Sequence, residues 1–278
     1  MGARAFISID AEGLPFIVGR YHLMPGDPLF SELREVSTRI TVAVASRLLD
    51  RGYQEVVVAD SHGSMVNVDP LKMPRGVRIV RGYPRPTSMI AGAEGSKAAF
   101  FLGYHSSPAR RGVLAHTYSG RVIQRVNLPD ARDVTEFLLN AYALGELGVP
   151  VALLAGDETL REEAARHAPW VVFVELQRPI GSTAGIARSI EEVIEDLERG
   201  VDDAIARIES GEVKPLKPRE PWIEVEFKRP WHADAASLFP CVERLDGLRV
   251  RLTCERYLDN FKMLEGLVLA AYATERLV

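Results

Sequence analysis

Two stretches decide the fold: Ala5-Phe6-Ile7-Ser8-Ile9-Asp10-Ala11-Glu12-Gly13, and, further along, Glu55-Val56-Val57-Val58-Ala59-Asp60-Ser61-His62-Gly63. Each is a short apolar run, of the length and β-branched content of a buried strand, that stops at an aspartate and a glycine-containing turn. Between them Leu33, Val36, Ile40, Val44 and Leu48 recur at helical spacing, so residues 31–50 are expected to form a helix. Ser31 is the expected cap of its start and Gly52 of its end. Strand, helix, strand is the repeating unit of a parallel sheet, because parallel neighbours need a long crossover.

The same alternation continues outward. Further strands are expected at 77–80, 98–102, 121–128, 149–154 and 170–176, with helices at 131–147, 157–167 (capped by Asp157) and 187–210. Val213-Lys214-Pro215-Leu216-Lys217-Pro218 then reads as a connector that cannot be helical. After it come a strand at 222–227, a short segment near Ala235, strands near Val242 and Val250, and a closing helix at 257–277. The expectation is an α/β fold with a mostly parallel sheet flanked by helices over residues 1–212, and a smaller C-terminal α+β subdomain over 213–278.

With 278 residues, 47% of them hydrophobic and 26% charged, the chain can build a substantial core. A net charge of −4, with no basic run or aromatic platform, argues against a nucleic-acid partner. No uninterrupted apolar run approaches the roughly 20 residues of a membrane span, so no membrane partner is expected. The apolar start, residues 1–9, is interrupted by Arg4 and lacks a cleavage signal, which predicts a cytoplasmic protein. Cys241 and Cys254 do not form a C-x-x-C pair; buried thiols are the expectation, a single disulfide the alternative.

The chemistry-bearing residues follow apolar strands directly. Asp10 and Glu12 follow the first strand, Asp60-Ser61-His62 closes the second, and Gly103-Tyr104-His105 ends the strand at 98–102. In open parallel sheets ligands bind beyond the carboxyl ends of the strands, so Asp10, Glu12, His62 and His105 are expected at a common rim. Two carboxylates and two imidazoles suit zinc or a similar divalent ion. Taken singly each has a plainer reading: Asp10 and Asp60 as turn caps, His105 as a hydrogen-bonded core histidine. Three such strand ends together favour a metal site.

These segments, Ser8-Ile9-Asp10-Ala11-Glu12-Gly13, Asp60-Ser61-His62 and Leu102-Gly103-Tyr104-His105, resemble the metal-binding motifs of the zinc-dependent D-aminopeptidase family of the dipeptide-transport type, peptidase family M55. Gly112-Val113-Leu114-Ala115-His116, Glu136 with Leu139-Asn140-Ala141-Tyr142, Ala155-Gly156-Asp157 and Val213-Lys214-Pro215-Leu216 match in the same order. The resemblance implies a cofactor of two zinc ions per chain, with Asp10 bridging both, Glu12 and His105 completing one site, and His62 and Glu136 the other. It implies a catalytic role for His116, as nucleophile or as proton shuttle. It implies aminopeptidase action on the N-terminal residue of short peptides, D-residues preferred, in a ring-shaped homo-oligomer, a decamer in the family. From the residues alone Glu136 is one more carboxylate bordering the apolar face of Val134, Phe137, Leu138, Ala141 and Tyr142. His22, His167 and His232 are expected to be structural or surface residues. The alternatives are another two-metal hydrolase, such as an amidase or phosphoesterase, since metal ions polarise carbonyl and phosphoryl oxygens alike, or a non-catalytic binding or assembly protein.

Overall fold

β1 (Arg4–Ile9) is buried on both faces, and its alternating side chains enter two different cores. Ala5, Ile7 and Ile9 pack with one set of helices, whereas Phe6 faces the other. That explains why the strand reads as a continuous apolar run rather than an alternating one. A computed structural model describes residues 2–277 of the chain. The remaining elements are α1 (Phe30–Asp50), β2 (Glu55–Asp60), β3 (Val77–Val80), β4 (Ala98–Tyr104), β5 (Ile123–Asn127), α2 (Glu136–Glu146), β6 (Val151–Asp157) and α3 (Leu160–His167). They continue with β7 (Val172–Gly181), β8 (Ala184–Ile186), α4 (Ile190–Glu209), β9 (Ile223–Phe227), α5 (Pro230–Ala236), β10 (Val242–Arg244), β11 (Arg249–Leu252) and α6 (Tyr257–Thr274).

Seven strands form the main sheet in the order β3-β2-β1-β4-β6-β7-β8, parallel except for the β7–β8 hairpin. The chain runs outward from β1 to β2 and β3, then returns to β4 on the other side of β1. The sheet therefore reverses its winding between β1 and β4, the place where ligand crevices open in such sheets. On one face α1 and α4 cover the sheet through Leu33, Val36, Ile40, Val44 and Leu48 and through Val193, Leu197, Val201 and Ala204. Asp202 of α4 ties the two helices together by accepting hydrogen bonds from Arg47 and Arg51. On the other face lie α2, α3 and α6. A second, antiparallel sheet, β10-β11-β9-β5, draws β5 from the first part of the chain, so the C-terminal elements close over α2 and α6 rather than standing apart.

The mostly parallel sheet between helices is as expected; several boundaries differ. α1 starts at Phe30 after Leu29, so Ser31 lies inside the helix and caps nothing. α2 starts at Glu136 rather than near 131, because residues 128–135 spend their polar groups elsewhere: Leu128 pairs with Ala131, and Asn127 Oδ1 accepts the Asp133 N–H. Asp157 ends β6 instead of capping α3, its carboxylate taken by the N–H groups of Val113 and Thr159. Cys241 is exposed and Cys254 half-buried, and both are free thiols.

Candidate metal centre

The three chemistry-bearing strands are immediate neighbours, with β1 between β2 and β4. Backbone bonds carry the pairing past the strand ends into the loops: Ser61 N–H donates to Ile9 O and Asp10 N–H to Leu102 O, both at 2.8 Å, and Gly13 N–H to Gly103 O, also at 2.8 Å. This approach needs glycine. A Cβ on Gly13 would lie 1.8 Å from Tyr104 O, and one on Gly103, whose φ is +72°, would lie 2.2 Å from Asp10 O. Beneath the rim the Ser8 hydroxyl contacts Ser61 Oγ and Tyr104 OH, both at 2.9 Å, and donates to Met89 O at 3.0 Å. Asn140 of α2 donates to Tyr104 OH at 3.2 Å. One buried polar knot thus fixes the ends of β1, β2 and β4 relative to the helix that carries Glu136.

His116 comes from the loop between β4 and β5. Asp157, fully buried, holds that loop by accepting the Val113 N–H at 3.1 Å. Leu114 (φ +51°) and Tyr118 (φ +64°) on either side adopt left-handed backbone, a strained conformation for non-glycine residues that turns the His116 side chain inward. Glu136, at the first turn of α2, accepts the Tyr118 N–H at 2.5 Å.

Each of the three imidazoles has one nitrogen committed to a backbone carbonyl and the other aimed at the carboxylates. His62 Nε2 donates to Leu23 O (3.1 Å), His105 Nδ1 to Ser106 O (3.0 Å) and His116 Nδ1 to Leu114 O (2.9 Å). A carbonyl can only accept, so in the neutral rings the inward nitrogens carry lone pairs, the tautomer a metal ligand or a general base requires. His62 Nδ1 lies 2.9 Å from Glu12 Oε2 and 3.5 Å from Asp10 Oδ1. His105 Nε2 lies 3.4 Å from Asp10 Oδ2 and 3.9 Å from Glu136 Oε1. His116 Nε2 lies 3.7 Å from Glu136 Oε1 and 4.0 Å from Glu12 Oε1, and its ring stacks on His105 with centroids 4.4 Å apart.

All six residues singled out from the sequence therefore converge, in donor sets that overlap. Asp10, Glu12 and His62 form one compact set of donors and Asp10, His105 and Glu136 another, with Asp10 common to both. The strand order explains this: His62 and His105 arrive on opposite sides of β1, and α2 lies toward the β4 side. Glu12 is also within reach of His105 together with His116. His22, by contrast, bonds to Gly19 O and faces Glu32, and His232 pairs with Glu275, so neither joins the cluster.

The charges here are unbalanced. Burial pushes the Asp10 carboxyl well above its usual range, and Glu12 beside it pushes further in the same direction. Burial acts likewise on Glu12, but His62, His116 and His105 outweigh it and hold that carboxyl well below the usual range. For His62 burial disfavours the charged ring, yet Glu12 and then Asp10 drive its pKa well up. A proton on His62 is thus the fallback cation of the cluster. Even so, Asp10 Oδ2 and His105 Nε2 are buried atoms without hydrogen-bond partners. Buried donor atoms of this kind are costly unless something satisfies them. Carboxylate oxygens and imidazole lone pairs, in two triads sharing one aspartate, are a donor set that a pair of divalent ions fits.

The cluster floors a cleft of about 670 Å³, within the usual size of a small-ligand site. Met65, Met89, Tyr118 and, from α6, Val268 and Tyr272 form its walls. The sequence offered no signal for three features of this site: the polar knot, the carbonyls that orient the rings, and the contribution of α6. Any residue has a carbonyl, and Tyr272 is far from the motifs along the chain.

Comparisons with known proteins bear on the fold and the family of this chain. A D-aminopeptidase from Bacillus subtilis (strain 168) is 29% identical over 246 residues, covering 88% of each chain. The solved structure of the Zn-dependent D-aminopeptidase DppA from Bacillus subtilis, a self-compartmentalizing protease, superposes with a TM-score of 0.91 at 26% identity, covering 97% of this chain and 98% of that one. The sequence profile of the M55 peptidases, described as D-aminopeptidase, matches residues 3–266, and the chain therefore belongs to the M55 D-aminopeptidase family.

Proposed function

We propose that this protein is a zinc-dependent aminopeptidase that removes the N-terminal residue, with D-configuration preferred, from short peptides. The observation that carries the reading is the pair of buried donor triads sharing Asp10, on a chain that belongs to this family. Two zinc ions per chain would be held by Asp10, Glu12 and His62 and by Asp10, His105 and Glu136. When bound, such a pair supplies Lewis acidity toward a carbonyl oxygen and makes water a better nucleophile at neutral pH.

The chain's own residues do the rest. Asp10, Glu12 and Glu136 make the floor of the cleft acidic, which suits the free ammonium of a peptide. His116 acts at Nε2. Its side chain is 22% exposed, against 10% for His62 and 1% for His105, so it is the imidazole that meets the cleft. With Nδ1–H fixed on Leu114 O, Nε2 can take a proton from the attacking water and return it to the departing amine. The stacked His105 ring and the Gly120 backbone behind it limit its rotation.

Residues 1–212 are read as the catalytic part and 213–278 as a subdomain whose α6 closes one wall of the cleft. A homo-oligomer, a ring of ten chains with its sites facing an internal chamber, would restrict entry to small peptides. The cytoplasm is the proposed compartment, and among the described residues no helix is long and apolar enough to cross a membrane. The deciding experiment pairs elemental analysis with hydrolysis of D-alanyl and L-alanyl peptides before and after chelation. Two ions per chain, chelator-sensitive activity and D-preference are expected. Undiminished hydrolysis in protein stripped of metal, or no hydrolysis by the zinc-loaded protein, would refute the reading.

A further inference from the structure

The cleft is electrically polar from end to end. Its floor carries Asp10, Glu12 and Glu136, whereas its two arginines, Arg121 and Arg276, belong to the rim. The position of Arg121 relative to the reacting groups is set by Gly120. A Cβ on Gly120 would lie 3.2 Å from the His116 ring, so Arg121 is one residue beyond the backbone that touches His116. On the reading above, His116 serves the departing amine, which makes the Arg121 side of the cleft the side of the leaving group.

The guanidinium of Arg121 is held in place yet not consumed. It lies over the Tyr272 ring, 5.7 Å from the centroid, and Tyr272 OH is fixed by Ser119 Oγ at 2.7 Å. Its Nε edge faces Glu275 at 3.7 Å, while Glu275 gives its shorter contact, 2.7 Å, to His232. Among the described residues the terminal amino groups of Arg121 make no hydrogen bond. Lys228, bonded to the Gly120 carbonyl, adds a second positive charge behind the same turn.

We propose that Arg121 is a specificity-determining residue that receives the C-terminal carboxylate of the substrate, so that the preferred substrates are di- and tripeptides with a free C-terminus. This rests on the aminopeptidase reading and adds a length rule to it. In a dipeptide the carboxylate is one residue past the scissile bond, and each further residue moves it by roughly 3.3–3.6 Å. A guanidinium held at one place on the rim meets the carboxylate of a di- or tripeptide but not one several residues farther on. The planar fork of Arg matches a carboxylate with two parallel bonds, while the acidic floor repels that same group and fixes the direction of binding.

The test compares D-alanyl-D-alanine with its C-terminal amide in wild type, Arg121→Met, Arg121→Lys and Arg78→Met, an exposed control on the far strand. The readouts are kcat/KM and the calorimetric affinity for a reduced-amide dipeptide, as free acid and as amide. Wild type should favour the free acid by roughly 10-fold or more, the scale of a charge-assisted hydrogen bond in a partly exposed site. The ratio should fall toward 1 in Arg121→Met through KM, recover in part in Arg121→Lys, and persist in Arg78→Met. A wild-type ratio near 1, or one unaltered in Arg121→Met, overturns the proposal even if the peptides are cleaved. Absence of all cleavage instead removes the aminopeptidase reading, and the binding ratios still decide the role of Arg121.

Discussion

Replacing Glu136 separates a ligand from a cap, because its carboxylate faces two ways. Oε1 accepts the Tyr118 N–H at 2.5 Å and lies 3.9 Å from His105 Nε2 and 3.7 Å from His116 Nε2. Glu136→Ala removes both functions. The Tyr118 N–H is left without an acceptor, which costs about 1–3 kcal/mol, or roughly 2–10 °C in Tm for a chain of this size. Glu136→Gln keeps an acceptor oxygen for Tyr118 but removes the anionic donor, so its metal-free Tm should stay within about 2 °C of wild type. Both variants should retain about one ion fewer per chain. Both should lose at least the 10–100-fold in activity that even an outer partner of a metal site contributes. The assay is thermal unfolding of chelator-treated protein, metal content after zinc loading, and kcat on the same preparations. Two ions and near-normal kcat in Glu136→Gln would show that Glu136 serves only to hold the loop, and the second triad would then lack a ligand.

His116→Ala should keep both ions and bind substrate while kcat falls about 10²–10⁴-fold; reduced zinc content would instead make His116 a ligand, an option its reach to Glu12 and His105 leaves physically open. Asp202 predicts an acid limb away from the active site. Hydrogen bonds from Arg47 and then Arg51 hold its carboxyl down at about 2. A depressed carboxylate contributes stability above its unfolded pKa near 3.9 that is lost as pH falls toward 2. Asp202→Asn should therefore lower Tm at pH 6 but make little difference at pH 2. The effect at pH 6 corresponds to about 0.5–1 kcal/mol, since both arginines are partly exposed. An equal loss at both pH values would mean that the pair acts through packing alone.

Much of this was legible in the chain, and for definable reasons. Strands buried on both faces are written as unbroken apolar runs, so β1, β2 and β4 and the Asp and His residues at their ends could be read directly. The adjacency of those strands follows from their order, which brings Asp10, Glu12, His62 and His105 together. Glu136 was not legible in this way. It opens a helix after a loop whose irregular bonds erase periodicity, and only resemblance to the family singled it out. How the donors group around Asp10 was not legible either, because it depends on which side of β1 each residue approaches, a property that strand order fixes and local sequence does not. Arg121 and Tyr272 escaped notice because they are ordinary rim residues until α6 folds over the cleft.

The three ring-orienting acceptors, the carbonyls of Leu23, Ser106 and Leu114, belong to the main chain. A side-chain partner can be deleted by a single substitution; a carbonyl persists through every substitution that leaves the backbone path intact. The imidazoles here are thus insulated from most amino-acid replacement around them. That loosens the constraint on the neighbouring side chains. Drift is tolerated where composition changes. It is dangerous where two backbones must touch, at Gly13 and Gly103, whose missing side chains let the ends of β1 and β4 meet.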